Sequence, residues 1–189
     1  LMATTRLWRT GTVAMGLIAT MLLCACVQMP VKAPDEGHAA RVRFRLASPG
    51  RQHVFEAVPN DCFLPTESTN GRILTLSYNP DALRWVVERH LDRIGMPAAE
   101  GYPSISYTEA FVNAGYPIGL RFMLVGPGIY DTYYAQVTAR FEPGRDYEVL
   151  TENTPNGISG IAISELVPER NGVRVVPLRG VLKTPYCIG

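Results

Sequence analysis

The chain has 189 residues, 47% of them hydrophobic, with 18 Lys and Arg against 17 Asp and Glu. That near-neutral balance offers no basic surface for nucleic acid, and the length suits one domain with a real core. The N-terminal region stands apart by composition: Arg6 and Arg9 have no acidic partner, and Thr12 to Leu23 follows as a 12-residue apolar run. A permanent membrane span takes about 20 apolar residues, so this run is too short. A basic start, a short apolar core and small residues at the exit are the marks of a signal peptide.

The exit is Leu22-Leu23-Cys24-Ala25-Cys26. It resembles a bacterial lipobox, which runs Leu, a small residue, Ala or Gly, then Cys. Leu23, Ala25 and Cys26 match; Cys24 departs at the second position but is small. The resemblance implies cleavage before Cys26 and a diacylglyceryl thioether on its sulfur, with the lipid bilayer as a partner. Cys24 is a poor alternative acceptor, because bulky Leu23 would precede the cut. The competing readings are an ordinary secretory signal or an uncleaved anchor. Several acyl chains on one residue hold a protein stably, at ~0.8 kcal/mol per buried CH2. Val27 rather than Asp follows Cys26. By resemblance to enterobacterial sorting this favours the outer membrane, with the domain in the periplasm or facing outward. Loss of residues 1–25 would leave 164 residues with 16 basic and 17 acidic side chains, a net charge of −1.

Two cysteines then remain, Cys62 and Cys187. An even pair in an oxidising compartment reads as a disulfide, against the alternatives of a free thiol or a metal site. No CxxC occurs, and His38, His53 and His90 are scattered, so no metal or cofactor is expected.

Residues 26–40 carry prolines and no periodicity, and read as a tether for a domain over 41–189. Arg41 to Leu46 alternates cleanly, with Val42, Phe44 and Leu46 on one face and Arg41, Arg43 and Arg45 on the other. The arginine face reads first as a charged outer surface that protects an edge strand. Its second reading is a contact for an anionic partner such as a lipid A phosphate or an acidic glycan. Ser48-Pro49-Gly50 turns the chain into a strand at His53 to Val58, and Asn70-Gly71 marks a turn before Ile73 to Tyr78. Asn79-Pro80-Asp81 then caps a predicted amphipathic helix over 79–94, with Leu83, Val86, Val87, His90, Leu91 and Ile94 on one face. Further strands are expected at Ile118 to Val125, at Tyr133 to Phe141, from Tyr147, at Ile158 to Leu166 and at Val173 to Leu178, with Thr108 to Val112 preceding them. The expected fold is therefore mainly β, an antiparallel β-sandwich of about eight or nine short strands with one inserted helix.

No GxSxG, HExxH, SxxK or Walker-type pattern occurs, so no catalytic residue is assigned. Glu109 reads as a structural hydrogen-bond acceptor and His53 as a packed or surface residue. Tyr130, Tyr133 and Tyr134 form an aromatic cluster that could stack on a sugar ring, although strand tyrosines are more often packing. The segment Phe141 to Val149 (FEPGRDYEV), with Thr108-Glu109 and Ala114-Gly115-Tyr116-Pro117 before it, resembles a hairpin found in small bacterial outer-membrane lipoproteins of unknown function. The resemblance implies a β-sandwich envelope lipoprotein and transfers no catalytic residues. The expected role is non-enzymatic, a structural or docking component of the cell envelope partnered by another envelope protein. The alternative is a periplasmic binding or inhibitor module for a glycan or a hydrolase, with the tyrosines or the arginine face as contacts.

Overall fold

A computed structural model gives the fold and describes residues 34, 36–65, 69, 71–78, 94–97, 107–125 and 132–188. The expected signal peptide, the expected lipidation residue Cys26, most of the expected tether and Tyr130 lie outside the described residues; residues 36–40, expected in the tether, form a 3-10 turn and the start of the first strand, with Ala39 and Ala40 buried.

A 3-10 turn at Glu36–His38 leads into ten strands. They are β1 (Ala39–Leu46), β2 (Gly50–Ala57), β3 (Gly71–Tyr78), β4 (Tyr107–Asn113), β5 (Pro117–Val125), β6 (Thr132–Arg140), β7 (Asp146–Thr154), β8 (Gly157–Glu169), β9 (Gly172–Pro177) and β10 (Leu182–Thr184). They form two five-stranded sheets, ordered β4-β1-β7-β8-β9 and β10-β6-β5-β2-β3. The two-residue alternation along β1 sends Ala40, Val42, Phe44 and Leu46 to one face, where each is at most 1% exposed. Val149 from β7 joins them, and the second sheet contributes Val54, Leu74, Leu76, Leu120, Phe122 and Val137 to the same apolar cluster. A single core thus draws on one face of each sheet. Gly119 lets β5 and β2 approach closely: a Cβ there would lie 2.7 Å from the Ala57 carbonyl oxygen.

One expectation falls almost wholly outside the described residues and two are corrected. No part of the helix over 79–94 is seen: residues 79–93 lie outside the described residues, and Ile94 is in irregular chain. The first sheet is mixed rather than antiparallel, because β1 and β7 run parallel, Arg41 opposite Asp146 through Leu46 opposite Thr151. Local alternation reports which residues share a face but is blind to the direction of a neighbour a hundred residues away. The short strand β10 was not expected. Three residues paired to the edge of β6 carry too little periodicity to register.

In the β7–β8 and β8–β9 hairpins the turn residues are Pro155-Asn156 and Arg170-Asn171. The following glycines, Gly157 and Gly172, already pair in the strand, with φ of 131° and 144°. Such angles are open to glycine and strained for side-chain-bearing residues.

Candidate functional site

The outer face of the first sheet carries the three arginines of β1, and it is not the solvent-facing stripe expected. Arg43 is 1% and Arg45 2% exposed. The reason is the register. Arg43 lies opposite Glu109 on β4 and Glu148 on β7, so carboxylates flank it on both sides. Arg43 Nη2 donates to Glu109 Oε1 at 2.8 Å, and Arg45 Nη2 to Glu148 Oε2 at 2.9 Å. The Tyr107 ring lies 4.5 Å and 4.9 Å from the two guanidinium carbons. Arg41, more exposed, makes a bidentate pair with Asp146 at 2.7 and 2.8 Å. Three cations thus meet three carboxylates.

Residues 94–97 lie across this cluster. Glu109 Oε2 accepts from the backbone N–H of Ile94 at 2.7 Å and of Met96 at 3.3 Å. Arg43 in turn donates to the carbonyls of Met96 and Pro97 at 3.2 and 2.8 Å. Burial alone would push the Glu109 carboxyl up. The bonds from Arg43 and from the Ile94 and Met96 amides, with the Arg43 charge, outweigh it and hold the carboxyl below its usual range. Glu109 accepts from Arg43, Ile94 and Met96, in keeping with its reading as a structural hydrogen-bond acceptor. Arg43 and Arg45 are committed to the interior and present nothing to a partner.

The outer face of the second sheet is covered near its middle by residues flanking the disulfide. Cys62 and Cys187 are bonded, closing a sequence separation of 125 residues. Beside them Phe63 pairs with the C-terminal segment: its N–H donates to Pro185 O at 2.9 Å, and Cys187 N–H donates to Phe63 O at 3.0 Å. The Phe63 and Tyr186 ring centroids are 4.5 Å apart, and Arg121 lies 5.1 Å from the Phe63 ring. Arg121 is 3% exposed and donates to Gln136 Oε1 at 3.0 Å. On the same face His53 is buried with Nδ1 2.8 Å from Thr75 Oγ1. Burial first, then the charges of Arg51 and Arg72, push the His53 imidazole below its ordinary value.

The expected tyrosine cluster is divided by the pleat. Tyr133 and Tyr134 are consecutive on β6, so they point to opposite faces. Tyr134 offers its backbone to the Tyr186 hydroxyl, which donates to Tyr134 O at 2.7 Å and accepts from Tyr134 N at 3.2 Å. Tyr133 instead faces the first sheet, where a Cβ at Gly157 would lie 3.3 Å from its ring.

Tyr133 there lines a cleft of about 490 Å³ at one end of the molecule. The parallel pairing of β1 with β7 creates it, by placing the ends of both strands side by side. Ser48, Pro49 and Gly50 follow β1; Asn153, Thr154 and Pro155 close β7; Leu124 and Val125 end β5. The Asn153 N–H donates to Ser48 Oγ at 3.3 Å and ties the two loops together. Both polar atoms of the Asn153 side chain are shielded from water and have no hydrogen-bond partner among the described residues. Comparison with protein-family models and with curated proteins finds no match to this chain. The cleft therefore has to be read from its own chemistry. No charged side chain lines it among the described residues, and no group of three or more His, Cys, Asp or Glu there could hold a metal ion.

Of the sequence-derived candidates among the described residues, the cleft uses Tyr133 alone. Asn153 and Leu124 were missed. The turn at Ser48-Pro49-Gly50 is legible in the sequence, but nothing local signals that it meets a turn a hundred residues further along the chain.

Proposed function

We propose that this protein is a lipid-anchored β-sandwich of the bacterial cell envelope that works by docking onto other envelope components rather than by catalysis. The observation that carries the reading is the Cys62–Cys187 disulfide, which belongs to an oxidising compartment outside the cytoplasm. It agrees with an acylation sequence ending at Cys26. Chain entering at Ala39 arrives at the start of β1, and the Tyr133 cleft lies beyond its far end, about 25 Å away at ~3.3 Å per strand residue. A bilayer at the tether end would leave that cleft facing away from it, free to meet a partner.

Two experiments test this. Growth with radiolabelled palmitate should label the full chain, and Cys26→Ala should abolish both the label and membrane sedimentation; a labelled Cys26→Ala chain sinks the anchor. Crosslinking and co-purification of the acylated protein from its native envelope should recover one protein partner near one-to-one. Recovery of the protein alone would discard docking. A second reading, a binding module for a glycan, is favoured by one observation, the Tyr133 ring in the wall of the end cleft.

A further inference from the structure

The exposed apolar side chains gather at one end of the sandwich, the end at which the chain enters it. Register places them. β1 starts at Ala39, opposite Asn113 at the close of β4, and Arg41 lies opposite both Phe111 and Asp146, the first residue of β7. Val175 stands at about the same level, opposite Leu166, one residue past the Tyr147–Glu165 pair. Asn113 Nδ2 donates to Glu56 Oε2 at 2.8 Å, and the Gly115 N–H donates to the Phe141 carbonyl at 2.8 Å. These bonds identify the matching end of the second sheet. It carries Val58 just past β2, Tyr116 in the β4–β5 turn, and Leu182 opposite Thr138 near the close of β6.

The five side chains are 46% to 65% exposed. They are five of the nine large hydrophobics exposed among the described residues; Val125 alone marks the opposite end, and the other three lie beside the disulfide. Exposed apolar groups concentrated in one region mark a contact with protein or membrane. Position favours the membrane. Residues 26–36 span at most about 35 Å even fully extended, so a lipid on Cys26 holds this end close to the bilayer.

The charges suit the same contact. Arg140, Arg145 and Arg174 are each more than half exposed and pair with Glu142, Glu165 and Glu169 at 3.5, 2.7 and 2.6 Å. Paired charges leave little net field to oppose approach. A long arginine arm can also shift its guanidinium onto a lipid phosphate while its stem stays on apolar surface. Tyr116 has the ring, apolar with one wet end, that populates membrane-interface belts.

We propose that this end of the sandwich, formed by Val58, Phe111, Tyr116, Val175 and Leu182, rests on the phospholipid headgroup layer of the bilayer that holds the anchor. This rests on the lipid-anchored reading and adds the surface of the domain that meets the membrane.

The test uses the full-length protein, purified from its native envelope, in phosphatidylethanolamine–phosphatidylglycerol vesicles whose acyl chains carry bromine, a short-range quencher of tryptophan. Tyr116→Trp and Phe111→Trp report on the proposed contact, and Val125→Trp on the far end. All three positions are exposed, so the fold should persist, which circular dichroism checks. The parent, with Trp85 as its tryptophan once residues 1–25 are removed, sets the baseline. Relative to unbrominated vesicles, Tyr116→Trp and Phe111→Trp should lose emission and shift to the blue, while Val125→Trp should match the baseline. Equal quenching at both ends, or none at Tyr116→Trp and Phe111→Trp, overturns the proposal. So does a blue shift at these two sites without bromine quenching, which would place a second copy of the chain there instead. A parent that fails to sediment with the vesicles removes the anchor and the contact with it; one that sediments without quenching removes the contact alone.

Discussion

At the scale of single residues, the strongest determinants are charges removed from water. Glu109 is 3% exposed and offsets Arg43, which is 1% exposed. Glu109→Gln leaves a buried guanidinium without its main counter-charge, so a loss of roughly 3–5 kcal/mol is expected in urea unfolding. Replacing both partners, Arg43→Met with Glu109→Leu, should recover most of that loss, since a pair exchanged for apolar groups of similar volume is often neutral. A double variant as unstable as Glu109→Gln would show that the clamp on residues 94–97, rather than the unpaired charge, governs the effect. His53 sets a pH dependence. Its folded pKa lies below the ordinary 6.5, so the unfolded chain takes up the proton first. Stability is therefore full above about pH 6.5 and declines as the pH falls below it. Glu109, also depressed, adds a loss only as the pH falls below its ordinary 4.5. Melting temperatures between pH 8 and 5 should thus fall in the parent and fall less in His53→Asn.

At the scale of elements, each sheet has an outer face partly covered by irregular chain held on a buried arginine. On the second sheet the cover is the Phe63 segment and the last residues, joined by Cys62–Cys187. The 125-residue separation makes this bond worth up to ~4–5 kcal/mol in the chain-entropy model. Cys62→Ser with Cys187→Ser should lower stability by that order. Hydrogen exchange should then quicken at the Phe63 and Cys187 amides and not at the β1 core; uniform protection loss would count against a local staple. The strands themselves were largely legible, because alternation as regular as Tyr133 to Phe141 survives any topology. Arg41 to Leu46 was legible as a strand and misleading as a surface. A period of two separates the faces of a strand without revealing that Glu109, Glu148 and residues 94–97 enclose the polar one.

At the scale of the whole molecule, the organising event is the parallel union of β1 with β7, which joins the beginning of the domain to a strand a hundred residues later. β2, β3, β5 and β6 all lie between them in the chain and belong to the other sheet. So many remote pairings place folding in the millisecond-to-second class of all-β domains. Stopped-flow refolding of the oxidised chain should outpace that of the reduced chain, because the disulfide already holds Phe63 near Tyr186. Equal rates would mean that this closure follows the rate-limiting step.

The same union decides the candidate site. The sequence by itself determined the strands other than β10, several of the turns and the cysteine pair. Each of these is written in neighbouring residues or in two cysteines with no other use. Only the tertiary structure decided that Arg43 and Arg45 are interior, that Tyr133 and Tyr134 part company, and that Ser48 and Asn153 share the wall of one cleft. Those outcomes depend on which strands become neighbours and in which direction, and sequence periodicity carries no record of either.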